Sequence, residues 1–177
     1  SGKDNPQTVI AAFELRYRHL SDIAPQPQTD SIWIALDRVR DPGNLGTIMR
    51  SADAVGAKGI ILIDDCTDPY SVEAVRASMG AVFNVDIIQT GNTEFIRWAE
   101  GWKGEIIGTA LPASKDYRKA KWQQPLILLM GNEQAGLTQE LCKAATQLIR
   151  LPMLGRSDSL NLAVATGICL YEAIREV

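Results

Sequence analysis

Short aliphatic runs alternate with helical segments along most of this 177-residue chain, and this alternation restricts the fold more than any other feature. Runs rich in isoleucine, leucine and valine predict buried strands at 32–36, 59–63, 82–88, 105–110, 126–130 and 147–151. The segments between and after them predict helices at 46–55, 71–79, 93–101, 138–146 and 159–177. Strands and helices that alternate in this way form mostly parallel sheets with helices on both faces, so the predicted fold class is α/β. Ligands of such sheets bind at the carboxyl ends of the strands.

The first 30 residues are expected to form an arm before one main domain at 31–177. A rough helical period at 6–20 predicts a short helix, and two prolines among polar residues at 24–30 predict an extended linker. The longest apolar stretch falls short of the about 20 residues that cross a bilayer, and the start of the chain shows no secretory signal. We therefore expect a cytoplasmic protein with no membrane partner.

Composition argues against several kinds of chemistry. The chain has one histidine, His19, and three widely separated cysteines, which leaves no group with metal-ligand spacing, so no metal is expected. The same scarcity argues against serine–histidine and cysteine–histidine catalysis. With 18 basic and 21 acidic residues the net charge is −3, so any nucleic-acid binding would depend on a local basic patch.

The loop after the first predicted strand, 37–53, contains more glycine and polar groups than a turn needs. Gly43 and Gly46 allow a sharp turn, and Asn44 stands just before the predicted helix, where it can cap the helix or bind a ligand. Arg50 lies one turn into that helix. It either pairs with Asp53 on a solvated face or serves a functional site.

Two later loops have the same unusual composition. In the loop at 128–137, Glu133 follows a buried strand and either caps the next helix, which Thr138 could begin, or serves a site. The loop at 150–161 ends with more polar groups than one helix cap needs: Ser157, Asp158, Ser159 and Asn161. Free N–H groups at the start of the following helix would favour an anionic ligand group, and the alternative is an unusually polar cap.

The last predicted helix has almost no polar face over 162–171. A helix that is apolar all round must be buried on all sides, either at the centre of the core or at a subunit interface. Gly167 in its interior suggests a close approach of another backbone.

In this order the three loops resemble the three motifs of the SpoU/TrmH family of RNA ribose methyltransferases, which belongs to the SPOUT class. The first motif is matched at 44–50, the second at 129–133 with Gly136, and the third at 151–153 with 159–161 and the apolar helix behind it. The segment 74–81 also resembles a stretch of these enzymes. The resemblance covers about 31–177, which is nearly everything except the arm.

The resemblance implies an α/β methyltransferase domain whose chain, from about residue 126, is threaded into a deep trefoil knot. It also implies a homodimer formed through the C-terminal helix. The implied cofactor is S-adenosylmethionine, released as S-adenosylhomocysteine and held largely by backbone groups in the knot. By position, its contacts would be Thr109, Leu111, Gly131, Leu151, Met153 and Leu160. The implied reaction is methyl transfer to a ribose 2′-hydroxyl of structured RNA, either tRNA or rRNA.

The resemblance implies five catalytic residues: Arg50, Asn44, Glu133, Ser159 and Asn161. Because arginine is effectively always protonated, we expect Arg50 to bind the phosphate beside the target ribose. It would also stabilise the negative charge that develops on the ribose 2′-oxygen. It would act as a base only if that phosphate takes the proton. Asn44, Ser159 and Asn161 would orient the hydroxyl and the phosphate, while Glu133 would brace the site.

RNA binding by an acidic chain requires local positive charge. The predicted RNA-binding residues are the arginines near the loops and a basic, aromatic-rich segment after the fourth strand: Arg38, Arg40, Arg156, Lys115, Arg118 and Lys119. The alternative is that these residues are ordinary solvent-exposed side chains with no role in RNA binding. Two functional alternatives stay open, a catalytically silent relative that binds RNA or assists assembly, and a SPOUT methyltransferase that modifies a base atom. A nucleotide-dependent dehydrogenase fits less well, because the Gly-x-Gly-x-x-Gly turn is missing.

Overall fold

The computed structural model describes residues 12, 14–15, 17–23, 31–110, 113 and 115–175. Within these residues seven strands form one sheet: β1 (Ile32–Asp37), β2 (Gly59–Ile63), β3 (Asp86–Thr90), β4 (Glu105–Thr109), β5 (Lys115–Asp116), β6 (Leu126–Met130) and β7 (Gln147–Arg150). The α-helices are α1 (Pro42–Ala54), α2 (Val72–Ser78), α3 (Asn92–Ala99), α4 (Gln139–Ala144) and α5 (Leu162–Ala173). Short 3-10 turns occupy Leu20–Asp22, Ala81–Phe83 and Tyr117–Lys119.

The strand order is β3-β2-β1-β6-β4-β7-β5, and each of these neighbouring pairs is parallel. β1 and β6 lie side by side at the centre, with Ile34 opposite Leu128. Both strands are buried along their whole length, which explains why they appear in the sequence as continuous aliphatic runs. The predicted α/β class with a parallel sheet is confirmed.

Helices cover both faces of the sheet. Along β1, Ile34 and Leu36 pack into a cluster that includes residues of α1, α2 and α5. Trp33 and Ala35 point the other way, into a cluster with residues of α3 and α4. Successive strand residues face opposite sides of a sheet, so each layer of helices receives every second side chain.

Contact between α1 and α2 depends on a glycine. A Cβ atom at Gly46 would overlap the carbonyl oxygen of Ala74 and the side chain of Ala77. The two helices therefore pack with their backbones in direct contact, which fixes the direction of α1 as it leaves β1. This direction matters because the first turn of α1 carries Asn44.

The described part of the N-terminal arm differs from the predicted helix at 6–20. Arg18 forms a parallel bridge with Ile88, and its N–H donates to the Ile87 carbonyl at 3.0 Å. Its backbone donor is used by the sheet instead of by a helical turn, and the buried Leu20 anchors the 3-10 turn that follows. Residues 6–11, 13 and 16 of the predicted helix and the linker at 24–30 lie outside the described residues.

Several boundaries also differ from prediction. α1 begins at Pro42 instead of residue 46, because Asp41 accepts a hydrogen bond from the Asn44 N–H and acts as the helix cap. β3 begins at Asp86 instead of residue 82, because left-handed Met79 and Gly80 turn the chain into a 3-10 segment after α2. α5 begins only at Leu162, after its cap Asn161.

α5 is buried on one face only. Its inner face packs on the sheet and α1 through Leu162, Ala163, Thr166, Cys169, Leu170 and Ala173. Its outer face exposes Val164, Ile168 and Tyr171, at positions one helical turn apart. A position at the centre of the core, one of the two alternatives for this helix, is therefore excluded within the described part of the chain. Among the described residues, none of the helices is long and apolar enough to cross a membrane.

Candidate active site

A cavity of about 450 Å³ opens at the carboxyl ends of β4, β6 and β7. Its size is within the usual range for sites that hold small molecules. The predicted site residues that line it come from all three motif-bearing loops and from β4: Asn44, Thr109, Gly131, Glu133, Leu151, Met153, Ser159, Leu160 and Asn161. Arg50 does not line it, and Leu111 lies outside the described residues.

One wall of the cavity is the loop at 131–137, which is shaped by its own backbone. A Cβ atom at Gly131 would overlap the backbone of Gly136, and Gly136 itself has a left-handed φ of 67°. The N–H of Asn132 donates to the Gly136 carbonyl at 3.2 Å, and the reverse bond measures 2.9 Å. The Asn132 side-chain oxygen accepts the N–H groups of the next two turn residues, Gln134 and Ala135, at 3.0 Å each.

Glu133 joins this loop to the start of α1. Its carboxylate accepts hydrogen bonds from the N–H groups of Arg40 and Asp41 and from Nδ2 of Asn44, each at 3.3 Å. It does not cap the next helix, because Thr138 fills that position with its side-chain oxygen. The expectation that Glu133 braces the site agrees with these contacts.

Asn44 lies inside the first turn of α1, where Asp41 already provides the cap. Its side chain is therefore available for the cavity. Its Oδ1 accepts a hydrogen bond from Nδ2 of Asn161 at 2.8 Å, while its own Nδ2 donates to Glu133. Asn44, Glu133 and Asn161, one from each loop, thus form a continuous hydrogen-bonded chain at the cavity.

The start of α5 is capped. The Oδ1 atom of Asn161 accepts the N–H groups of Ala163 and Val164 at 2.9 and 3.2 Å. These amides are consequently not free for an anion, and the polar-cap alternative describes Asn161 better. Ser159 lies beside it on the cavity wall, with its hydroxyl 3.3 Å from a carboxylate oxygen of Asp158.

Arg50 is exposed on α1, six residues after Asn44 and hence about 9 Å further along the helix axis. The pairing with Asp53 that was considered from the sequence is not present. Asp53 instead accepts a hydrogen bond from Nδ2 of Asn84 at 3.2 Å, and among the described ion pairs none includes Arg50. The guanidinium group can therefore meet an anion from outside.

Sequence reasoning missed Asp37, which ends β1 with a fully buried carboxylate. Its oxygens accept hydrogen bonds from Nε and Nη2 of Arg38 at 2.7 and 3.0 Å, and from the Thr138 N–H at 3.1 Å. The hydrogen bond to Asp37 raises the pKa of the Arg38 guanidinium above its ordinary value. An acidic residue at the end of a wholly apolar strand was the available signal.

Asn132 was missed as well, although it stands inside the second motif. Its Nδ2 donates to the Arg38 carbonyl at 2.7 Å, while its Oδ1 organises the turn described above. Asparagine next to a glycine turn was the available signal, because its short side chain readily bonds nearby backbone groups.

The predicted RNA-binding residues lie in different surroundings. Arg38 is held by Asp37, and Arg40 forms an exposed ion pair with Asp65 at 2.8 Å. The other four are on the surface beside or beyond β7: Lys115, Arg118, Lys119 and Arg156. Arg118 makes two hydrogen bonds to the carboxylate of Asp116, and this contact holds the pKa of Asp116 well below its usual range.

Comparison with known proteins agrees with this site. The model of the SpoU rRNA Methylase family matches residues 31–171, which include all three loops. The 23S rRNA (guanosine-2′-O-)-methyltransferase RlmB of Vibrio parahaemolyticus is 36% identical over 177 residues, which is 97% of this chain and 71% of that protein. The 23S rRNA (uridine(2479)-2′-O)-methyltransferase of Streptomyces viridochromogenes is 33% identical and has 61% of its length covered. This chain thus spans between 61% and 71% of these two curated relatives.

Solved structures give the same result. The AdoMet-bound rRNA methyltransferase from Sinorhizobium meliloti has a TM-score of 0.93 and 54% sequence identity, over 99% of this chain and 67% of that one. The SpoU methyltransferase AviRb from Streptomyces viridochromogenes in complex with AdoMet has a TM-score of 0.79 and 34% identity, over 85% of this chain and 59% of that one. Because the family model spans most of the chain and all three loops, the chain belongs to the SpoU rRNA methylase family.

Proposed function

We propose that this chain transfers a methyl group from S-adenosylmethionine to a ribose 2′-hydroxyl of RNA. The observation that carries the proposal is the hydrogen-bonded chain of Glu133, Asn44 and Asn161 at the cavity. Three loops far apart in sequence meet there, at the end of the sheet where α/β proteins bind ligands. The names of the relatives favour ribosomal RNA as the substrate, and such an enzyme would work in the cytoplasm.

The cavity fits this cofactor. Leu151, Met153 and Leu160 provide apolar walls for the adenine ring and the aliphatic part of the methionine chain. Thr109 offers a hydroxyl group. Gly131 contributes backbone to the cavity wall, and its missing Cβ atom lets the backbone of Gly136 pack directly against it. When bound, S-adenosylmethionine supplies an electrophilic methyl group on a sulfonium sulfur.

The polar residues would position the acceptor. Nδ2 of Asn161 and Nδ2 of Asn44 are already committed within the chain, and this holds both amides in one orientation. Ser159 lies next to them with a hydroxyl that can bond the ribose or its phosphate. Glu133 accepts three hydrogen bonds and holds the first turn of α1 in place, so its role is to brace the site.

Arg50 would bind the phosphate next to the target ribose and stabilise the negative charge that develops on the 2′-oxygen. Its charge is not neutralised by a described ion pair, and it lies on the same helix as Asn44. A fixed cation at developing negative charge is a large source of rate enhancement.

We infer further that two copies associate through α5. The outer face of α5 exposes Val164, Ile168 and Tyr171, and a contiguous apolar stripe of this kind favours an interface. α5 also packs against α1, where Gly167 faces Ser51. An interface on α5 would therefore lie beside the helix that carries Arg50.

We also infer that the chain from about residue 126 forms a trefoil knot. The strand order supports this: β6 inserts between β1 and β4, and β7 then lies beyond β4. α5 afterwards returns to contact α1 and β6. An experimental structure traced through β6, β7 and α5 tests the threading directly.

RNA would be held by a local basic surface, since the net charge of the chain is −3. We assign to it Arg40, Arg156, Lys115, Arg118 and Lys119. Arg38 is left out, because its partner Asp37 is fully buried, whereas the carboxylates paired with Arg40 and Arg118 reach the solvent. Neutralising Arg156 should weaken RNA binding and reduce its dependence on salt.

The decisive experiment is transfer of labelled methyl from S-adenosylmethionine to RNA, followed by nucleoside analysis of the product. The expected product is a 2′-O-methylated nucleoside, and Arg50→Ala should abolish it. Arg97→Ala, an exposed arginine on α3 at the opposite face of the sheet, serves as the matched control and should retain full activity. A methylated base would show a base-modifying enzyme, and the absence of both transfer and cofactor binding would favour a silent RNA-binding relative.

A further inference from the structure

The ion pair at the end of β1 is unusual for its position. Asp37 is fully buried but does not line the cavity, and its partner Arg38 has a left-handed φ of 52°. The desolvation cost of a buried ion pair can exceed the gain from pairing, and left-handed backbone is unfavourable for any residue with a Cβ atom. Two unfavourable features next to each other persist only where the surrounding structure holds them, and such places are common near functional sites.

The Arg38 N–H donates to the Ile63 carbonyl at 3.1 Å, but the side chains of the pair and the Arg38 carbonyl bond the 131–137 loop or the residue after it. Asp37 accepts the N–H of Thr138 at 3.1 Å, which fixes the residue that follows the loop. Nη2 of Arg38 lies 3.5 Å from the Gly136 carbonyl, near the end of the loop. The Arg38 carbonyl accepts Nδ2 of Asn132 at 2.7 Å, near its start. The pair therefore holds the loop at both ends.

The left-handed backbone of Arg38 is what allows this double contact. The same residue turns its guanidinium group back onto Asp37 and presents its carbonyl to Asn132. Asn132 is then fixed on both of its side-chain atoms, because its Oδ1 accepts the N–H groups of Gln134 and Ala135. Gly131 and Gly136 in this loop form part of the cavity wall.

We propose that Asp37 is a positioning residue for cofactor binding, which acts through Arg38, Thr138 and Asn132 to fix the 131–137 loop as a wall of the cavity. This inference rests on the proposed function, because it assumes that the cavity holds S-adenosylmethionine. A role in stability alone explains the pair less well. Well-packed apolar residues usually stabilise a fold as much as a buried ion pair does.

The test is Asp37→Asn in the full 177-residue chain, with S-adenosylhomocysteine binding measured by calorimetry in the absence of RNA. The substitution keeps the size of the side chain but removes its charge. One carboxylate oxygen becomes an NH2 group, which cannot accept the hydrogen bonds that Arg38 and Thr138 donate. The dissociation constant should rise at least tenfold. Hydrogen exchange at 131–138 should become faster, while exchange in β1 and β2 stays as in the wild type.

Two controls separate positioning from general loss of stability. Asp86→Asn makes the same substitution in the ion pair with Arg18, whose atoms are 3.0 Å apart on the far side of the sheet from the cavity. Phe95→Leu removes volume from the core under α3 and lowers the unfolding temperature. Both variants should bind S-adenosylhomocysteine as the wild type does while they remain folded.

The outcomes are distinct. If the wild-type chain does not bind S-adenosylhomocysteine, the proposed function fails together with this inference. If the wild type binds and Asp37→Asn binds equally well, or if Phe95→Leu weakens binding to the same degree, only the inference on Asp37 is overturned. Should Asp37→Asn not fold, Arg38→Lys keeps the charge beside Asp37 but loses the planar group that reaches Gly136. It should raise the dissociation constant at least threefold, and an unchanged constant would overturn the inference.

Discussion

The side-chain nitrogen of Asn161 lies 2.8 Å from the side-chain oxygen of Asn44 and joins the start of α5 to the first turn of α1 across 117 positions of sequence. Each of these amides uses both of its polar ends. Asn161 caps α5 with its oxygen, and Asn44 bonds Glu133 with its nitrogen. Each group therefore fixes the orientation of its neighbour, so a substitution at Asn161 should change how Asn44 bonds Glu133.

Asn161→Asp should separate capping from positioning. Aspartate keeps an oxygen for the Ala163 and Val164 amides but loses the nitrogen that bonds Asn44. We expect a smaller loss of unfolding free energy than in Asn161→Ala, together with a strong loss of methyl transfer. Asn161→Ala should lose activity and also about 1 kcal/mol of stability, because the cap is gone. Urea unfolding and initial rates measure the two effects, and equal stability loss in both variants would contradict the assignment of the cap.

Gly131→Ala should disrupt the cavity. The added Cβ atom would overlap the backbone of Gly136 and Leu137, which must then move away. We expect a loss of about 1–3 kcal/mol in unfolding free energy, as in other overpacked sites, together with weaker binding of S-adenosylhomocysteine. Gly155→Ala is the matched control, because its Cβ atom would meet nothing within 4 Å. Similar behaviour of the two variants would show that this loop is more adaptable than the contacts indicate.

Alkaline pH should destabilise the fold through buried thiols. Burial raises the pKa of Cys169 from 9.0 to about 12 and that of Cys66 to about 11. A pKa that is raised in the folded state means that the contribution to stability is complete below pH 9 and decreases as the pH approaches 11 to 12. Between these limits Cys169 should contribute a slope of about −1.4 kcal/mol per pH unit.

Cys169→Ala should remove that part of the slope. Urea unfolding at several pH values between 9 and 11 measures it, and the comparison is between slopes, since the variant has its own packing cost. Cys142→Ala is the control, because that thiol is only partly buried whereas the Cys169 thiol is buried. An identical slope for wild type and Cys169→Ala would refute the role of this thiol.

Ile168→Glu should give a monomer. Ile168 lies in the middle of the exposed stripe on α5, and a carboxylate there would have to be buried unpaired in an interface between two copies. Sedimentation velocity should show a dimer for the wild type and a monomer for the variant, with the circular dichroism spectrum unchanged. Leu154→Glu, at a residue whose side chain is almost fully exposed in the loop after β7, should remain dimeric. A monomeric wild type would refute the proposed association.

The sequence was most informative where local physics decides the structure. The aliphatic runs at β1 and β6 predicted buried parallel strands because their burial on both faces leaves no room for polar residues. The three loops predicted a site at the strand ends, because they contain more glycines and polar side chains than a turn or a helix cap needs. Asp41 and Pro42 also carried a local signal for the start of α1 that was not used.

Other features depend on contacts that are distant in the sequence. Asp37 and Thr138 are 101 positions apart, and nothing near either residue indicates their hydrogen bond. The bridge between Arg18 and Ile88 likewise overrides the helical period at residue 18, because the sheet provides a backbone partner there. Strand order belongs to the same class.

The bridge at Arg18 has a consequence for the behaviour of the sheet in a crowded solution. β3 is the outermost strand on its side, and an uncovered outer strand offers free N–H and C=O groups to any other chain. The N–H of Arg18 bonds the Ile87 carbonyl, and its guanidinium group pairs with Asp86 at 3.0 Å. On the opposite side, β5 has only two residues. The edge of β3 is thus paired at residues 87–88 with the chain's own backbone, and the opposite edge strand is very short, and both features reduce the backbone open to aggregation.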